Sequence, residues 1–160
     1  MLLAGTFRRS LDEKLRFAIP ACLREAFGFP ENSILYLAPG TDGTLALYPE
    51  QSFSRLAEKL EQGSTNVKEV RAFSRVFFAQ VQRVELDRHG RVRLPAELAQ
   101  LATLSKEIVL VGVRDHMEIW DAERWEAYLS QTQPNYDELC DLAFAGRPVL
   151  KTSANHENEN

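Results

Sequence analysis

The sequence has few cysteines, no long apolar run and no excess of positive charge. Its two cysteines, Cys22 and Cys140, lie far apart and neither belongs to a C-x-x-C motif, which favours free thiols over a disulfide framework. No stretch approaches the ~18 apolar residues that a membrane-spanning helix requires. The start, MLLAGTFRRS, places basic residues after a short apolar segment, the reverse of a secretory signal. These features predict a soluble, cytoplasmic protein.

Motifs that carry catalytic or phosphate-binding chemistry are also missing. The sequence has no G-x-x-x-x-G-K-[ST], no G-x-G-x-x-G and no G-x-S-x-G. Its three histidines, His89, His116 and His156, have no metal-ligand spacing with each other or with the cysteines. We therefore expect no enzyme activity, no cofactor and no metal site. His116 is expected in a turn beside Asp115, and Cys22 is expected to be buried on a short helix.

The charge and apolar content limit what the chain can be. The formal net charge is −4, so the total charge does not predict a nucleic-acid partner and only a local cluster of positive charge could. With 160 residues of which 44% are hydrophobic, the chain can form one medium domain or two small interlocked halves. The larger aromatic side chains are expected in a core or a subunit interface, and they are Phe73, Phe77, Phe78, Trp120 and Trp125.

The sequence does contain an internal repeat. Residues 11–23 read LDEKLRFAIPACL and residues 86–98 read LDRHGRVRLPAEL. The matching pairs are Asp12 and Asp87, Arg16 and Arg91, Pro20 and Pro95, and Ala21 and Ala96, all at one offset (87 − 12 = 75). Because this offset is longer than one supersecondary unit, it predicts two whole structural repeats.

Local patterns predict a similar order of elements in both halves. For the first half they predict a strand over 5–9, an alternating strand over 15–19, a helix over 21–27 ended by Gly28, a hairpin of 33–38 with 45–48, and a helix over 50–61. A helix over 67–81 connects the halves. For the second half they predict a strand over 92–94, a helix over 96–101, a hairpin of 107–113 with 117–120, and a helix over 122–129 capped by Asp121. A last helix is predicted over 134–145.

These elements group into five segments. We expect the first repeat over 5–51, a helical connection over 52–79, the second repeat over 81–124, a C-terminal helical segment over 125–150 and a disordered tail over 151–160.

Each copy of the repeated motif is predicted to present positive charge at a turn. Gly90 can adopt positive φ at no steric cost, and Asp87 can cap the turn. The turn then delivers Arg91 and Arg93 to one side of the following strand. In the first copy, Lys14 occupies a matching position in the turn. The candidate DNA-binding residues are Arg8, Arg9, Lys14, Arg16, Arg88, His89, Arg91 and Arg93.

Two interpretations of these arginines remain open at the level of the sequence. Paired basic patches suit DNA, because arginine binds phosphate and guanine and a two-stranded ribbon fits the major groove. Alternatively, Arg16 pairs with Asp12 and Arg91 pairs with Asp87 as structural ion pairs on a solvated strand edge. The repetition does not decide between them, since aspartate, arginine and proline can all be structural.

At these residues the sequence resembles the SpoVT-AbrB class of swapped-hairpin DNA-binding domains, whose motif is Asp-x-x-x-Arg, an alternating strand and proline. The tandem arrangement over residues 1–145 is similar to the MraZ family of bacterial transcriptional regulators, as are the segments SILYLA, LALYPEQSF and LSKEIVLVGVRDHMEIWDAERW. The resemblance implies an α+β fold of two tandem swapped-hairpin (AbrB-like) β-barrel repeats with pseudo-twofold symmetry, decorated by short helices.

The resemblance also implies a function. It implies a sequence-specific transcriptional regulator that binds short direct repeats in promoter DNA and represses the division and cell-wall gene cluster, as a ring-like homo-oligomer on the nucleoid. Arg16 and Arg91 are its implied DNA contacts. Leu15 stands where the motif usually has glycine, so the first turn is expected either to have another shape or to contact DNA less well. The alternative function is a non-catalytic structural or protein-interaction oligomer that uses the arginines for subunit contacts.

Overall fold

The computed structural model describes residues 2–27, 33–63 and 66–145. The strands are β1 (Thr6–Ser10), β2 (Arg16–Ala18), β3 (Ile34–Pro39), β4 (Leu45–Pro49), β5 (Gln82–Glu85), β6 (Arg91–Arg93), β7 (Glu107–Val113) and β8 (His116–Asp121). The helices are α1 (Ala21–Phe27), α2 (Glu50–Glu61), α3 (Lys68–Gln80), α4 (Ala96–Leu101), α5 (Ala122–Thr132) and α6 (Tyr136–Phe144). The predicted helix end at Gly28 and the predicted disordered tail lie outside the described residues.

The chain divides into two compact units, residues 1–125 and residues 126–160. The first unit contains all eight strands, and the described part of the second contains the end of α5, a single 3-10 turn (Gln133–Asn135) and α6. The predicted last helix therefore begins two residues later than expected, because Pro134 lies in the 3-10 turn ahead of α6. In the described ranges, no helix combines the length and apolar composition needed to cross a membrane.

A six-stranded antiparallel sheet joins the two halves of the first unit in the order β1-β7-β8-β4-β3-β5. The hairpin β3–β4 belongs to the first repeat and the hairpin β7–β8 to the second. However, β1 pairs with β7, and β5 pairs with β3. Each repeat thus adds its leading strand to the hairpin of the other repeat, which is the exchange of elements that the resemblance to swapped-hairpin domains implies.

The strands of the two repeated motifs pair with each other and form a separate antiparallel ribbon, β2–β6. Phe17 lies opposite Val92 at its centre, and Arg16 lies opposite Arg93. The hydrogen bonds at the two ends are also related by the offset of 75 residues. The N–H of Ile19 donates to the carbonyl of Gly90 at 2.9 Å, and the N–H of Leu94 donates to the carbonyl of Leu15 at 2.8 Å. The ribbon therefore has a pseudo-twofold axis through its central pair.

One hydrophobic core serves both repeats. The inward side chains of the ribbon are buried, and they are Phe17, Ile19, Val92 and Leu94. They lie in the same cluster as the inward side chains of the hairpins, which are Leu35, Leu37, Leu45, Leu47, Ile108, Leu110, Met117 and Ile119. The alternation predicted from the sequence is confirmed. This main cluster draws on strands of both repeats, while a smaller second cluster around Val109, Trp120 and Ala122 belongs to the second repeat alone.

Two predicted placements need correction. Cys22 is exposed, because α1 turns Leu23 into the core and the preceding residue lies about 100° away around the helix. His116 is the first residue of β8, and the turn before it consists of Arg114 and Asp115. Among the aromatic residues expected in a core or a subunit interface, Phe77 is buried, and Phe73 and Phe78 are 51% and 41% exposed in the single chain, so their place in an interface stays a prediction. Of the other expected core aromatics, Trp120 is buried and packs edge-on against Trp125 with ring centres 5.3 Å apart.

Candidate nucleic-acid interface

Each turn of the repeated motif is closed by its aspartate. Asp12 Oδ1 accepts hydrogen bonds from the backbone N–H groups of Lys14 and Arg16, both at 2.9 Å. Asp87 Oδ1 accepts the equivalent bonds from His89 at 2.8 Å and Arg91 at 2.9 Å. An aspartate that bonds its own backbone two residues on is the usual device for a tight turn. The two turns therefore have the same hydrogen-bonding pattern.

Leu15 adopts the left-handed backbone conformation that the sequence analysis expected it to avoid. Its φ is 57°, close to the 73° of Gly90 at the matching position. Of the two outcomes expected for the first turn, another shape is therefore wrong, and weaker contact with DNA stays a prediction. A left-handed conformation costs a residue with a side chain roughly 1–2 kcal/mol. Here the hydrogen bonds to Asp12 and the packing of the Leu15 side chain against the shared core offset that cost.

Both candidate arginines form ion pairs within their own turns. Arg16 Nε donates to Asp12 Oδ2 at 2.7 Å, and Arg91 Nε donates to Asp87 Oδ2 at 2.9 Å. Their side chains remain 30% and 31% exposed. Among the described residues, the remaining guanidinium nitrogens make no hydrogen bond. The structural ion pairs considered from the sequence are thus present, and they hold each guanidinium by one edge while its other nitrogens stay available.

These contacts keep both carboxyl groups ionised. The backbone N–H of Arg16 is the largest cause of the lowered pKa of Asp12, followed among the lowering contacts by the Arg16 side chain. For Asp87, burial acts to raise the pKa, but the backbone N–H and side chain of Arg91 outweigh it and lower the pKa below its ordinary value. Each aspartate therefore neutralises one arginine. Any net positive charge at a turn has to come from other residues.

The remaining candidates lie around this ribbon. Arg9 is half-buried on β1 and donates from Nε to the carbonyl of Ala18 at 3.1 Å, which joins β1 to the edge of the ribbon. Arg8 is exposed on the same strand. Arg93 is exposed on β6. The exposed turn residues are Lys14 in the first copy and Arg88 and His89 in the second, where Arg88 Nε donates to His89 Nε2 at 3.2 Å.

One arginine beside this surface is not among the candidates predicted from the sequence. Arg24 projects from α1 of the first repeat and packs against Gly90 in the second turn, so that a Cβ added to Gly90 would lie 2.4 Å from Arg24 Nη1. The contact joins residues 66 positions apart (90 − 24 = 66), and no local pattern could show it. The available signal was a mismatch in the repeat, because the position equivalent to Arg24 is Ala99.

Two repeats that exchange strands around one core, each presenting a turn to a shared ribbon, define a tandem swapped-hairpin protein. Comparison with known proteins agrees with this class. The family model described as "MraZ protein, putative antitoxin-like" matches the chain twice, over residues 2–76 and 77–139. The chain belongs to the MraZ family.

Several curated relatives support this assignment, and each is named "Transcriptional regulator MraZ". The relative from Lactiplantibacillus plantarum is 39% identical over 137 residues, 86% of this chain and 94% of its own. The relative from Finegoldia magna is 37% identical over 132 residues, 82% of this chain and 90% of its own. The relative from Moorella thermoacetica is 37% identical over 137 residues, 86% and 93% of the two chains.

A solved structure shows a weaker likeness. The solution structure of PHS018 from Pyrococcus horikoshii covers 72% of this chain and 95% of its own, with a TM-score of 0.36 and 12% identity. This likeness adds nothing to the family assignment.

Proposed function

We propose that this chain is a DNA-binding transcriptional regulator that acts, without catalysis, through the β2–β6 ribbon and the two turns that precede its strands. The observation that carries the proposal is the pairing of two turns of one geometry on a single antiparallel ribbon. A two-stranded ribbon has the width of the major groove, and arginine side chains reach guanine and phosphate from it. The curated relatives, which are named transcriptional regulators, support the same function.

Within this surface, Arg16 and Arg91 are the proposed base-contacting or phosphate-contacting residues. Their Nε atoms are held by Asp12 and Asp87, which orients each guanidinium before DNA arrives. Orienting a side chain in advance lowers the entropy that binding costs. The proposed phosphate-binding residues are Arg8, Arg9, Lys14, Arg88, His89 and Arg93.

The proposal also includes the assembly of the protein and the genes that it regulates. Several copies of the chain assemble into a ring and bind successive short direct repeats in promoter DNA, repressing the division and cell-wall gene cluster on the nucleoid, in the cytoplasm. Exposed apolar side chains on α6 support self-association, because contiguous exposed apolar surface marks interaction sites. Leu139 and Leu142 are 43% and 55% exposed, and Phe144 is 89% exposed.

The test is binding of the full chain to promoter DNA from upstream of its own gene, measured by gel shift. We expect Arg16→Ala and Arg91→Ala each to weaken binding at least about tenfold, because each removes a charge and a bidentate donor, worth ~1–3 kcal/mol. Arg55→Ala, which removes an exposed arginine from α2, is the control and should bind like wild type. If both ribbon variants are folded and bind like wild type, the assignment of the site is wrong.

A non-catalytic structural or protein-interaction oligomer remains the second candidate. It is favoured by the net charge of −4 and by the engagement of Arg16 and Arg91 in ion pairs. It requires the double variant Arg16→Ala/Arg91→Ala to lose assembly, and it requires DNA binding to be weak and indifferent to sequence. Light scattering of that variant, beside the gel shift, separates the two candidates.

A further inference from the structure

We infer that the second turn, completed by Arg24 from the first repeat, is the main phosphate-binding site of this interface and that the first turn is a weak one. The inference rests on the proposed function, because it assigns DNA phosphate to that surface. It adds a residue to the interface and makes its two pseudo-symmetric halves unequal.

The position of Arg24 is the first observation. Its guanidinium packs against Gly90, with Cζ 2.6 Å and Nη1 2.4 Å from the place that a Cβ of residue 90 would take. Arg24 Nε is buried and has no hydrogen-bond partner. In the described part of the chain, no carboxylate forms an ion pair with Arg24. Packing against the bare backbone of Gly90 therefore holds a positive charge beside the turn without neutralising it.

The charge of the two turns is the second observation. Residues 87–93 contain three arginines and one aspartate, a formal charge of +2 (3 − 1 = 2). Residues 12–18 contain one lysine and one arginine against one aspartate and one glutamate, a formal charge of zero (2 − 2 = 0). Arg24 raises the second turn to +3. Its counterpart near the first turn, Ala99, is apolar and buried.

The concave surfaces beside the two turns also differ in charge, and the surface at the second turn has the more positive lining. The concavity at the second turn has a volume of about 490 Å³ and is lined by Glu85, Leu86, Asp87, Arg88, His89 and Arg91. The Glu85 carboxylate is already paired with Arg83 at 2.8 Å. The concavity at the first turn, about 650 Å³, is lined by Asp12, Glu13 and Lys106 and by the leucines Leu11, Leu15 and Leu104. The second surface therefore presents two arginines and a histidine to an anion, whereas the first presents one lysine beside two carboxylates.

Electrostatics then assigns different roles to the two turns. Arginines gathered in excess of the nearby carboxylates repel each other, and a bound phosphate relieves that repulsion while releasing counterions from DNA. The first turn supplies the same backbone shape but little net charge. DNA therefore binds this chain with most of its electrostatic contact on the second turn.

The test measures binding of the full-length chain to a short, fluorescein-labelled duplex of mixed sequence by fluorescence anisotropy, between about 50 and 200 mM salt. Mixed sequence isolates contact with phosphate. Arg24→Met removes the charge and keeps an unbranched side chain over Gly90. We expect it to weaken binding about three- to tenfold and to reduce the slope of log K against log salt by about 1.

Two matched variants complete the experiment. Lys14→Met removes a charge from the first turn and should weaken binding less than twofold, with less than half the change in slope. Arg55→Met removes an exposed arginine from α2 and should leave both quantities unchanged. If Arg24→Met alters the unfolding temperature, Arg24→Gln provides a second test with the same expected change in slope.

The outcomes separate this inference from the proposed function. A folded Arg24 variant with the wild-type slope, or equal losses for Arg24→Met and Lys14→Met, overturns the inference while DNA binding itself stands. A wild-type chain that binds no duplex at about 50 mM salt, where non-specific binding is strong, overturns the proposed function as well.

Discussion

Asp12 and Asp87 hold the turns most strongly while they carry a negative charge, because a carboxylate accepts hydrogen bonds on both oxygens. In each turn one oxygen binds two backbone N–H groups and the other binds arginine Nε. A protonated acid would lose part of that capacity. The shape of the candidate interface is therefore linked to pH.

We expect the double variant Asp12→Asn/Asp87→Asn to be less stable than wild type at neutral pH and to approach it in acid. The pKa of each carboxyl is lowered on folding, so its stabilising contribution is complete above the unfolded value near 3.8 and is lost as pH falls through the folded pKa. Urea unfolding at several values from about pH 7 to pH 2 measures the difference, because the contribution is lost only below about pH 3.8.

Glu58→Gln, which changes an exposed carboxylate on α2, is the control for this experiment. The stability difference between Glu58→Gln and wild type should stay constant over this pH range. The difference between the double variant and wild type should shrink in acid. A stability gap between wild type and the double variant that is constant from neutral to acid pH would contradict the prediction.

The glycine of the second turn gives another residue-level prediction. Gly90→Ala should destabilise the fold by about 1–2 kcal/mol or more, because Gly90 has a φ of 73° and a methyl group there would collide with the Arg24 guanidinium. Thermal unfolding measures the loss. In the background of Arg24→Ala the same substitution should cost less, since the steric part disappears. Equal costs in the two backgrounds would mean that Arg24 does not occupy that space.

Leu15 shows why a residue-level rule could not predict the first turn. A leucine disfavours positive φ in isolation, and the sequence analysis used that preference. In the folded chain, the turn is held by Asp12 and the leucine side chain lies against the core. Tertiary contacts thus outweighed a local preference of about 1–2 kcal/mol. Cys22 and Arg24 were missed for a related reason, since their surroundings depend on how α1 packs.

The ribbon is the element on which both repeats depend. Phe17 and Val92 face each other at its centre and are 1% and 0% exposed. Phe17→Ala should therefore destabilise the chain by about 3–5 kcal/mol, the usual cost of truncating a buried phenylalanine. Ala18→Ser, at the exposed neighbouring position of the same strand, should change stability by less than about 0.5 kcal/mol.

Denaturant unfolding followed by both far-UV circular dichroism and tryptophan fluorescence checks the Phe17 prediction. Trp120 and Trp125 report on the end of β8 and the start of α5, and circular dichroism reports on the chain as a whole. Because the core is shared, both signals should shift together. Loss of one signal well before the other would mean that the repeats unfold separately.

The local sequence predicts the bounds of helices and strands well, but it does not predict which strands pair with each other. The helices 21–27 and 96–101 and the strand 107–113 have the bounds that Pro20, Pro95 and the apolar run EIVLVGV indicate. By contrast, no local pattern shows that β1 pairs with β7 or that β5 pairs with β3. The resemblance to a known class supplied that exchange. Strand pairing across the chain depends on which apolar faces meet in the core.

At the scale of the whole molecule, self-association is the property most open to a direct test. The described residues of the unit 126–160 expose the apolar side chains of Leu139, Leu142 and Phe144. We expect Leu142→Asp/Phe144→Asp to lower the particle mass measured by light scattering, because a charge in an apolar contact is costly to bury. Asp141→Asn on the same helix is the control. An unchanged mass would mean that assembly uses another surface.

The exchange of strands between the repeats has a consequence for synthesis of the chain. While a ribosome is making the first repeat, β1 and the hairpin β3–β4 emerge before β7 and β5, the strands that will cover their edges, have been translated. Unpaired strand edges and bare apolar faces are the features that chaperones bind and that lead nascent polypeptides to aggregate. Productive folding of this protein must therefore wait until translation has passed the second repeat.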